Sequence, residues 1–355
     1  MSKTVGIDLG TTFSVIAHLN AGRPEVIPCK DGVALMPSVV GILKDGSRVV
    51  GRRARLQAEG NPDGTVFSIK RRMGRRSYLD LNGLLPEEEA VRHIKRRMGT
   101  DYRVRINGRE YTPEEISATI LKKLKDDAEE CLGEKIDKAV ITVPAYFNVS
   151  QRRATIDAGI IAGLDVIRII DEPTAAALAY GLEIEDVHTV MVWDLGGGTF
   201  DVSILELGHG LFEVKAVGGD TLLGGDDYDR RIVDHIVSEL KMECGADLGG
   251  DTAAMIRLKD IAERAKMELT EREVAHISIP FTGTGGERRR FETFLTRSGF
   301  EELTSDLLRR MIEPTERALK DAGLGPPDID RVLLVGGSTR MPQVRRLLRE
   351  LMGKE

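Results

Sequence analysis

The stretch Asp194-Leu-Gly-Gly-Gly-Thr-Phe-Asp201 follows a strand-like apolar run, residues 190–193, and leads into a second strand-like run, residues 200–206. Three successive glycines cost backbone entropy, so the pattern predicts a tight turn whose backbone is approached closely by a ligand. A related turn, Asp8-Leu-Gly-Thr-Thr12, joins the strand-like residues 4–8 to residues 13–19. The recurrence indicates an internal duplication that divides the chain near residue 185, with one lobe in each half.

The predicted order of elements in the first half is βββαβαβα, and the second half follows the same order up to the helix that begins at Pro342. Residues 1–185 are expected to form lobe I, with an inserted subdomain at about 38–112. Residues 186–355 are expected to form lobe II, with an inserted α+β subdomain at about 227–306. The second half has no counterparts of strand 165–170 and of the helix that begins at Pro173. We therefore expect that a final strand and helix are missing and that the natural protein is longer.

Local signals predict two helix starts. Thr112-Pro-Glu-Glu115 is typical of a capping box with proline in the first turn. The apolar residues that follow it at every fourth position predict one buried helix face, and they are Ile116, Ile120, Leu124 and Ala128. Ser298-Gly-Phe-Glu301 predicts a second capping box, and Pro314 predicts a kink in the helix behind it.

Composition restricts the possible functions. The 355 residues are 41% apolar and 30% charged, which is typical of a folded protein with more than one core. Lys and Arg number 51 against 57 Asp and Glu, a net charge of −6, so the cationic field that binding to nucleic acid needs is missing. The sequence has no apolar leader and no run of about 18 apolar residues, so we expect a cytoplasmic protein that does not bind membranes.

The two Asp-Leu-Gly turns have the residue types that hold phosphate and a divalent cation. Backbone amides of a glycine turn form an anion nest, and Thr11 and Thr12 donate to phosphate. A carboxylate that faces polyphosphate needs a cation between them, and Mg²⁺ that keeps several waters suits Asp8, Asp194 and Asp201. The paired turns predict phosphate-holding loops on opposite walls of a cleft between the lobes.

Other phosphate motifs are missing, and two more glycine corners are present. No Gly-x-x-x-x-Gly-Lys-Ser/Thr occurs, which excludes the P-loop class, and the lack of a strand-linked Gly-x-Gly-x-x-Gly disfavours a Rossmann site. The corners are Leu223-Gly-Gly-Asp-Asp-Tyr-Asp229 and Leu334-Val-Gly-Gly-Ser-Thr-Arg-Met-Pro342. The second corner joins a strand to a helix start, where free amides favour anionic or polar ligand groups.

In order and spacing, these motifs resemble the ATPase domain of the DnaK-type 70-kDa heat-shock chaperones over nearly the whole chain. The matching stretches are Gly6-Ile-Asp-Leu-Gly-Thr-Thr12, Ser68-Ile-Lys-Arg71, Ala139-Val-Ile-Thr-Val-Pro-Ala-Tyr-Phe-Asn148, Glu172-Pro-Thr-Ala-Ala-Ala-Leu-Ala-Tyr-Gly181, Asp194 to Asp201, Ala262-Glu-Arg-Ala-Lys266 and Gly336-Gly-Ser-Thr-Arg340. The resemblance implies a duplicated ribonuclease-H-like, actin-like α/β fold with two lobes around a nucleotide cleft.

The resemblance also implies roles for the residues that match. Lys70 contacts the transferred phosphoryl group and the attacking water, Glu172 aligns that water, and Thr199 faces the γ-phosphate. Asp8, Asp194 and Asp201 arrange Mg²⁺, largely through water, and potassium ions. The implied nucleotide-binding residues are Asp8, Gly10, Thr11, Thr12, Gly196, Gly197, Gly198, Gly225, Glu263, Lys266, Thr270, Gly336, Gly337, Ser338 and Arg340. Pro144 and Arg152 are implied as coupling residues that relay lobe rotation.

The implied activity is slow, Mg-dependent hydrolysis of ATP to ADP that drives conformational coupling in a molecular chaperone. The implied partners are a J-domain co-chaperone and a nucleotide-exchange factor, and the domain is expected to be a monomer. Client polypeptides would bind only through a peptide-binding domain that has no counterpart after Glu355.

Some alternatives stay open from sequence alone. Ile94-Lys-Arg-Arg-Met-Gly99 repeats the residues around Lys70, so Lys95 is a rival for the catalytic lysine. Asp171 stands where the family usually has asparagine, which puts the affinity for J-domain partners in doubt. A small-molecule kinase of the same fold superfamily and an actin-like filament protein are rival functions. No acceptor motif supports the kinase, and the residues from 172 and from 194 match the chaperones better than filament proteins.

Overall fold

The computed structural model describes residues 3–74, 102–181, 186–209, 211–246, 248, 250–282 and 287–353. The chain forms two compact units, Met1–Ala175 and Ala176–Glu355. The lobe boundaries expected from the sequence, 1–185 and 186–355, place the division slightly later and stay a prediction. Within the described ranges, no helix combines the length and the apolar character needed to cross a membrane.

The first unit is built on a mixed sheet. The strands of this unit are β1 (Lys3–Leu9), β2 (Phe13–Asn20), β3 (Arg23–Val26), β4 (Met36–Pro37), β5 (Val40–Ile42), β6 (Arg48–Val50), β7 (Thr65–Val66), β8 (Val104–Ile106), β9 (Arg109–Tyr111), β10 (Ile136–Val143) and β11 (Asp165–Asp171). The main sheet has the order β11-β10-β1-β2-β3, with β4 paired to β2. β1 runs parallel to β10 and antiparallel to β2, so the end of β1 lies beside the end of β10.

The helices of this unit lie between its strands along the chain. They are α1 (Arg52–Gln57), α2 (Pro113–Leu132), α3 (Val149–Ile161) and α4 (Glu172–Gly181), the last of which continues into the second unit. The predicted capping box of α2 is confirmed: the Thr112 hydroxyl accepts from the Glu115 amide at 3.1 Å and the Glu115 carboxylate accepts from the Thr112 amide at 2.8 Å. The four apolar residues predicted for its buried face are all buried.

The described part of the second unit follows the order of the first from its opening strands to the helix after the strand that ends at Val335. Its strands are β12 (His188–Leu195), β13 (Phe200–Gly208), β14 (Leu211–Asp220), β15 (Val274–Thr282), β16 (Arg288–Thr296) and β17 (Arg331–Val335). Its helices are α5 (Gly225–Cys244), α6 (Thr252–Glu271), α7 (Arg297–Leu303), α8 (Ser305–Arg309), α9 (Ile312–Ala322) and α10 (Pro342–Met352). The sheet order is β14-β13-β12-β17, with β17 parallel to β12 and the other pairs antiparallel.

The core of this unit is centred on Trp193, which is fully buried. Its ring meets Phe200 edge to face, with 5.2 Å between ring centroids. Its indole N–H donates to the hydroxyl of Thr315 on α9 at 2.9 Å, so burial leaves no unpaired donor on the ring. The strand that carries Asp194 is thereby fixed against α9.

One local prediction in the second unit, the capping box at Ser298, is wrong. The cap of α7 is Thr296, whose hydroxyl accepts from the Gly299 amide at 3.0 Å, so Ser298 lies inside the first turn. The predicted box partner Glu301 instead accepts from Arg346 at 2.7 Å. Pro314 is the third residue of α9, and the helical chain is interrupted just before it, at Arg310 and Met311 between α8 and α9. Proline has no amide hydrogen to donate to the Arg310 carbonyl, so the disturbance predicted at Pro314 lies at this break.

A buried ion pair joins α5 to α6. The Asp229 carboxylate is 3% exposed as a residue and lies 2.8 Å from the Lys266 ammonium group. Burial raises the pKa of Asp229 from 3.8 to about 6, and Lys266 opposes this change only in part. The charged carboxylate is therefore held in the fold at a cost that its protonated form does not have.

We expect the unfolding free energy of the wild type to fall relative to that of Asp229→Asn as the pH rises through about 6. The folded chain binds this proton more tightly than the unfolded chain, so the linked stabilisation is complete below pH 3.8 and is lost as the pH passes about 6. The full change is at most about 3 kcal/mol. Urea unfolding at a series of pH values measures it.

Asp321→Asn is a matched control, because Asp321 is exposed and pairs with Arg317 at 3.6 Å on α9. The difference in unfolding free energy between Asp321→Asn and the wild type should stay constant between pH values of about 5 and about 7. A constant difference for Asp229→Asn over the same window would show that burial does not shift the titration of Asp229.

Candidate functional site

The turn between β1 and β2 carries the first group of predicted site residues. Asp8 lies opposite Val15 of β2 and Thr142 of β10, and the Thr142 hydroxyl donates to its carboxylate at 3.1 Å. A side chain at Gly10 would place its Cβ 2.0 Å from the Phe13 carbonyl oxygen, so the turn itself requires glycine there. The Asp8 carboxylate is exposed beside this turn.

Ser38 anchors this turn and was not identified from the sequence. Its hydroxyl donates to the Gly10 carbonyl at 2.7 Å, and its amide donates to the Thr12 carbonyl at 2.8 Å. The residue follows β4, which pairs with β2. No motif marked Ser38 in the sequence, because its role depends on a strand pairing and not on a local pattern.

Lys70 and Glu172 come together within the first unit. Lys70 lies in a short helical turn, Ile69–Arg72, that follows Ser68 in a left-handed conformation with φ of 53°. Its ammonium group donates to the Glu172 carboxylate at the start of α4. Lys70 is 5% exposed as a residue. A buried lysine needs a paired anion, and Glu172 supplies one. The rival Lys95 lies outside the described residues.

The glycine turn of the second unit joins β12 to β13. The strand register places Asp194 directly opposite Asp201 and Leu195 opposite Phe200, which leaves residues 196–199 as the turn. Both carboxylates are buried, and so is Thr199. The Gly196 amide donates to the Thr199 carbonyl at 3.1 Å and closes the turn. The predicted strand–turn–strand arrangement is confirmed.

The paired carboxylates of Asp194 and Asp201 form an arrangement that could bind a cation. Residues directly opposite on an antiparallel pair have side chains on one face, where two ionised carboxylates repel each other. A divalent cation near Asp194 and Asp201 would relieve this repulsion, and two oxygen ligands leave most positions around Mg²⁺ to water. In the described part of the chain, no group of three or more His, Cys, Asp or Glu side chains is arranged to hold a metal directly.

The start of α5 docks on the glycine turn. The Gly225 and Asp226 amides donate to the Gly196 and Gly197 carbonyls at 2.9 and 2.8 Å. A Cβ at Gly224 would lie 2.4 Å from the Gly198 nitrogen, so residue 224 must be glycine for packing reasons. Two amides of the helix end that are free in an isolated helix thus bond to the turn.

The third glycine corner packs on the other side of the same turn. Gly336 has a φ of 83°, and a Cβ there would lie 2.3 Å from the Leu195 carbonyl oxygen. The Ser338 hydroxyl donates to the Gly196 carbonyl at 3.2 Å. By contrast, a Cβ at Gly196 or Gly337 would meet no atom closer than 3.9 Å. Packing explains glycine at 336 but not at 196 or 337.

Lys266 connects α6 to this group of turns. Its ammonium group donates to the Gly225 carbonyl at 3.0 Å and pairs with Asp229. Glu263 and Thr270 lie one turn to either side of Lys266 on α6, and the Thr270 hydroxyl donates to the Lys266 carbonyl at 3.3 Å. Sequence reasoning assigned no role to Asp229, although it lies in the glycine corner 223–229.

Arg340 stands apart from these contacts. It ends the short helical turn Gly337–Arg340, and its side chain is exposed. Within the second unit, the structure therefore groups Gly196, Gly225, Lys266 and Ser338 through direct hydrogen bonds. Gly336 joins them by backbone packing.

The two predicted coupling residues, Pro144 and Arg152, are connected through one turn of the first unit. Pro144 begins a turn in which the Phe147 amide donates to its carbonyl at 3.1 Å. Arg152 on α3 donates from Nε to the Phe147 carbonyl and from Nη2 to the Ala145 carbonyl, both at 3.0 Å. One guanidinium group thus holds the turn that follows Pro144.

Comparisons with known proteins agree with this architecture. A model of the family described as "Hsp70 protein" matches residues 4–355. The chain is similar to "Chaperone protein DnaK" of Trichormus variabilis and to "Chaperone protein dnaK1" of a Nostoc species. Each is 54% identical over 360 aligned residues, which include 100% of this chain and 52% of the relative. The chain therefore spans about half the length of the curated relatives that it matches.

The family match and the two repeated α/β units confirm the predicted fold class and the predicted resemblance. The assignment of individual site residues stays a prediction. On the evidence of a family match across nearly the whole chain and of two relatives at 54% identity, the chain belongs to the Hsp70 family.

Proposed function

We propose that the chain binds ATP with Mg²⁺, hydrolyses it slowly to ADP and phosphate, and passes the nucleotide state on as a conformational change in a chaperone. The observation that carries the proposal is the buried contact between Lys70 and Glu172, which are 102 residues apart in sequence. The Glu172 carboxylate at the start of α4 holds the buried ammonium group of Lys70 in place. A positive charge that is held in this way can be directed at the phosphoryl group of a substrate.

The glycine turn of the second unit supports the phosphate part of the proposal. Packing accounts for Gly224 and Gly336, but the space at Gly196 and Gly337 would accept a side chain. Glycine at such positions permits a ligand to approach the backbone closely. Gly197 and Gly198 would then offer amides and Thr199 a hydroxyl to phosphate oxygens beside Gly196, and Thr11 and Thr12 would do the same in the first unit.

Phosphoryl transfer needs positioning and neutralisation of charge more than it needs a strong base. Lys70 would neutralise charge on the transferred group, and Glu172 would orient the attacking water by accepting its hydrogen bond. Asp8, Asp194 and Asp201 would hold Mg²⁺ largely through water, and potassium as well. The bound Mg²⁺ would supply neutralisation of the phosphate oxygens. Lys266, Ser338 and the residues near them would bind the adenosine part.

The partners that we propose follow from the family. They are a J-domain co-chaperone and a nucleotide-exchange factor, and client polypeptides would bind a separate peptide-binding domain. We further propose that this part of the protein is a cytoplasmic monomer. Its net charge of −6 gives no support for binding to nucleic acid.

Lys70→Ala should lower the single-turnover rate of Mg-ATP hydrolysis by ~100-fold or more, because it removes a charge aimed at the transferred group. Binding of ATP should persist, since the glycine turns are unchanged. Lys95→Ala is the matched control and should keep the wild-type rate. Rapid-quench measurements with potassium or sodium in the buffer report both effects. A loss of rate in Lys95→Ala alone would reassign the catalytic lysine.

Gly196→Ala should lower the affinity for ATP about 10-fold or more without lowering stability. The added methyl group meets no packing atom, and exchanging glycine for alanine often stabilises a fold by about 0.4–1 kcal/mol. Gly60→Ala is the control, because it also has open space around its Cβ but lies outside the predicted site. Titration calorimetry and thermal unfolding of both variants measure the effects. Unchanged affinity in Gly196→Ala would show that no phosphate approaches this residue.

A further inference from the structure

Asp171 forms an ion pair with Arg152 to which the proposed function assigns no role. Asp171 is the last residue of β11, and its carboxylate lies 2.5 Å from Nη1 of Arg152. Both side chains are about 30% exposed, so solvent screens the pair only in part. The next residue in the chain is Glu172, which contacts Lys70.

Arg152 uses all three of its guanidinium nitrogens on this region. Nε and Nη2 donate to the Phe147 and Ala145 carbonyls, and Nη1 pairs with Asp171. The register of the sheet places Asp171 beside Val143, the residue before Pro144. One side chain therefore ties the ends of β10 and β11 together at the point where α4 begins.

The first turn of α3 also touches the segment that carries Lys70. Gly74 has a φ of 62°, and a Cβ there would lie 2.6 Å from the Gln151 nitrogen. The Gln151 amide and side chain complete a capping box with Asn148, with both hydrogen bonds at 3.0 Å. The cap stabilises the first turn of α3. Gln151 lies against Gly74 and is the residue before Arg152, so this turn connects the lysine segment to the Arg152–Asp171 pair.

We infer that Asp171 is a positioning residue: through Arg152 it fixes the start of α4, from which Glu172 reaches Lys70. The inference rests on the proposed function of Lys70 and Glu172. An ionised carboxylate attracts the guanidinium group across this ion pair, whereas a neutral amide does not. Asparagine at 171 would keep the shape of the side chain but would remove its charge and loosen the junction.

Asp171→Asn should lower the single-turnover rate about 5-fold, the size expected when a partly exposed ion pair worth about 1 kcal/mol is lost. The affinity for ATP and the melting temperature should stay close to wild type, since no phosphate-binding residue changes. Arg152→Gln should be at least as slow, because it also loses the bonds to the Phe147 and Ala145 carbonyls, and the double variant should be no slower than Arg152→Gln alone.

Asp157→Asn is the matched control. Asp157 pairs with Arg153 at 3.0 Å, but both side chains are more exposed than those of Asp171 and Arg152, and the pair joins two residues of one helix. This variant should hydrolyse ATP at the wild-type rate. A rate for Asp171→Asn within about 2-fold of the control would overturn the inference, and so would a rate loss matched by losses of affinity and of melting temperature.

A second readout does not need hydrolysis. The contact with Glu172 and its burial should protect the Lys70 amine from acetylation by an N-hydroxysuccinimide ester, measured by peptide mass spectrometry on the nucleotide-free chain. Acetylation of Lys70 should be several-fold faster in Asp171→Asn than in Asp157→Asn. If the wild type binds ATP but does not hydrolyse it, the proposed function fails, and equal acetylation in the two variants separately overturns the role of Asp171.

Discussion

The second unit depends on contact between backbones at the turn after Asp194. The start of α5 donates two amides to carbonyls of this turn, and the chain at Gly336 lies against Leu195 from the other side. Such approaches leave no room for a Cβ, so the glycines at 224 and 336 follow from sterics. Because the same turn closes the β12–β13 ladder, the sheet, α5 and the corner before α10 are fixed with respect to one another.

In the first unit, side chains hold the corresponding turn in place. Its turn after Asp8 contains one glycine, required by the Phe13 carbonyl within the turn, and it is anchored by the Ser38 hydroxyl. The catalytic candidates are held by ion pairs between segments distant in sequence, as Lys70 and Glu172 are. The two turns are therefore held in different ways, and only the second turn contains a run of glycines.

Patterns local in the chain were sufficient to predict most of the elements. The glycine turns, the alternation of strands and helices and the capping box at Thr112 each depend on neighbouring residues, and the structure has them at the expected places. The cap of α7 was predicted wrongly because Thr296 and Ser298 can both cap, and the choice between them depends on where β16 ends. The Lys266–Asp229 pair and the anchor at Ser38 join separate segments, so no local pattern could reveal them.

The glycines in and around the second turn have two causes that sequence alone cannot separate. The pattern predicted close approach of a ligand at the three successive glycines, and it predicted anionic or polar ligand groups at the corner that contains Gly336. In the structure, Gly198 leaves no room for a side chain at Gly224, just before α5, and Leu195 leaves none at Gly336. Among the described residues, no atom requires glycine at 196 or 337 for steric reasons, and glycine without such a cause lowers stability relative to alanine. A ligand that approaches these two positions would offset that loss, which makes them stronger indicators of a binding site than the fully packed glycines beside them.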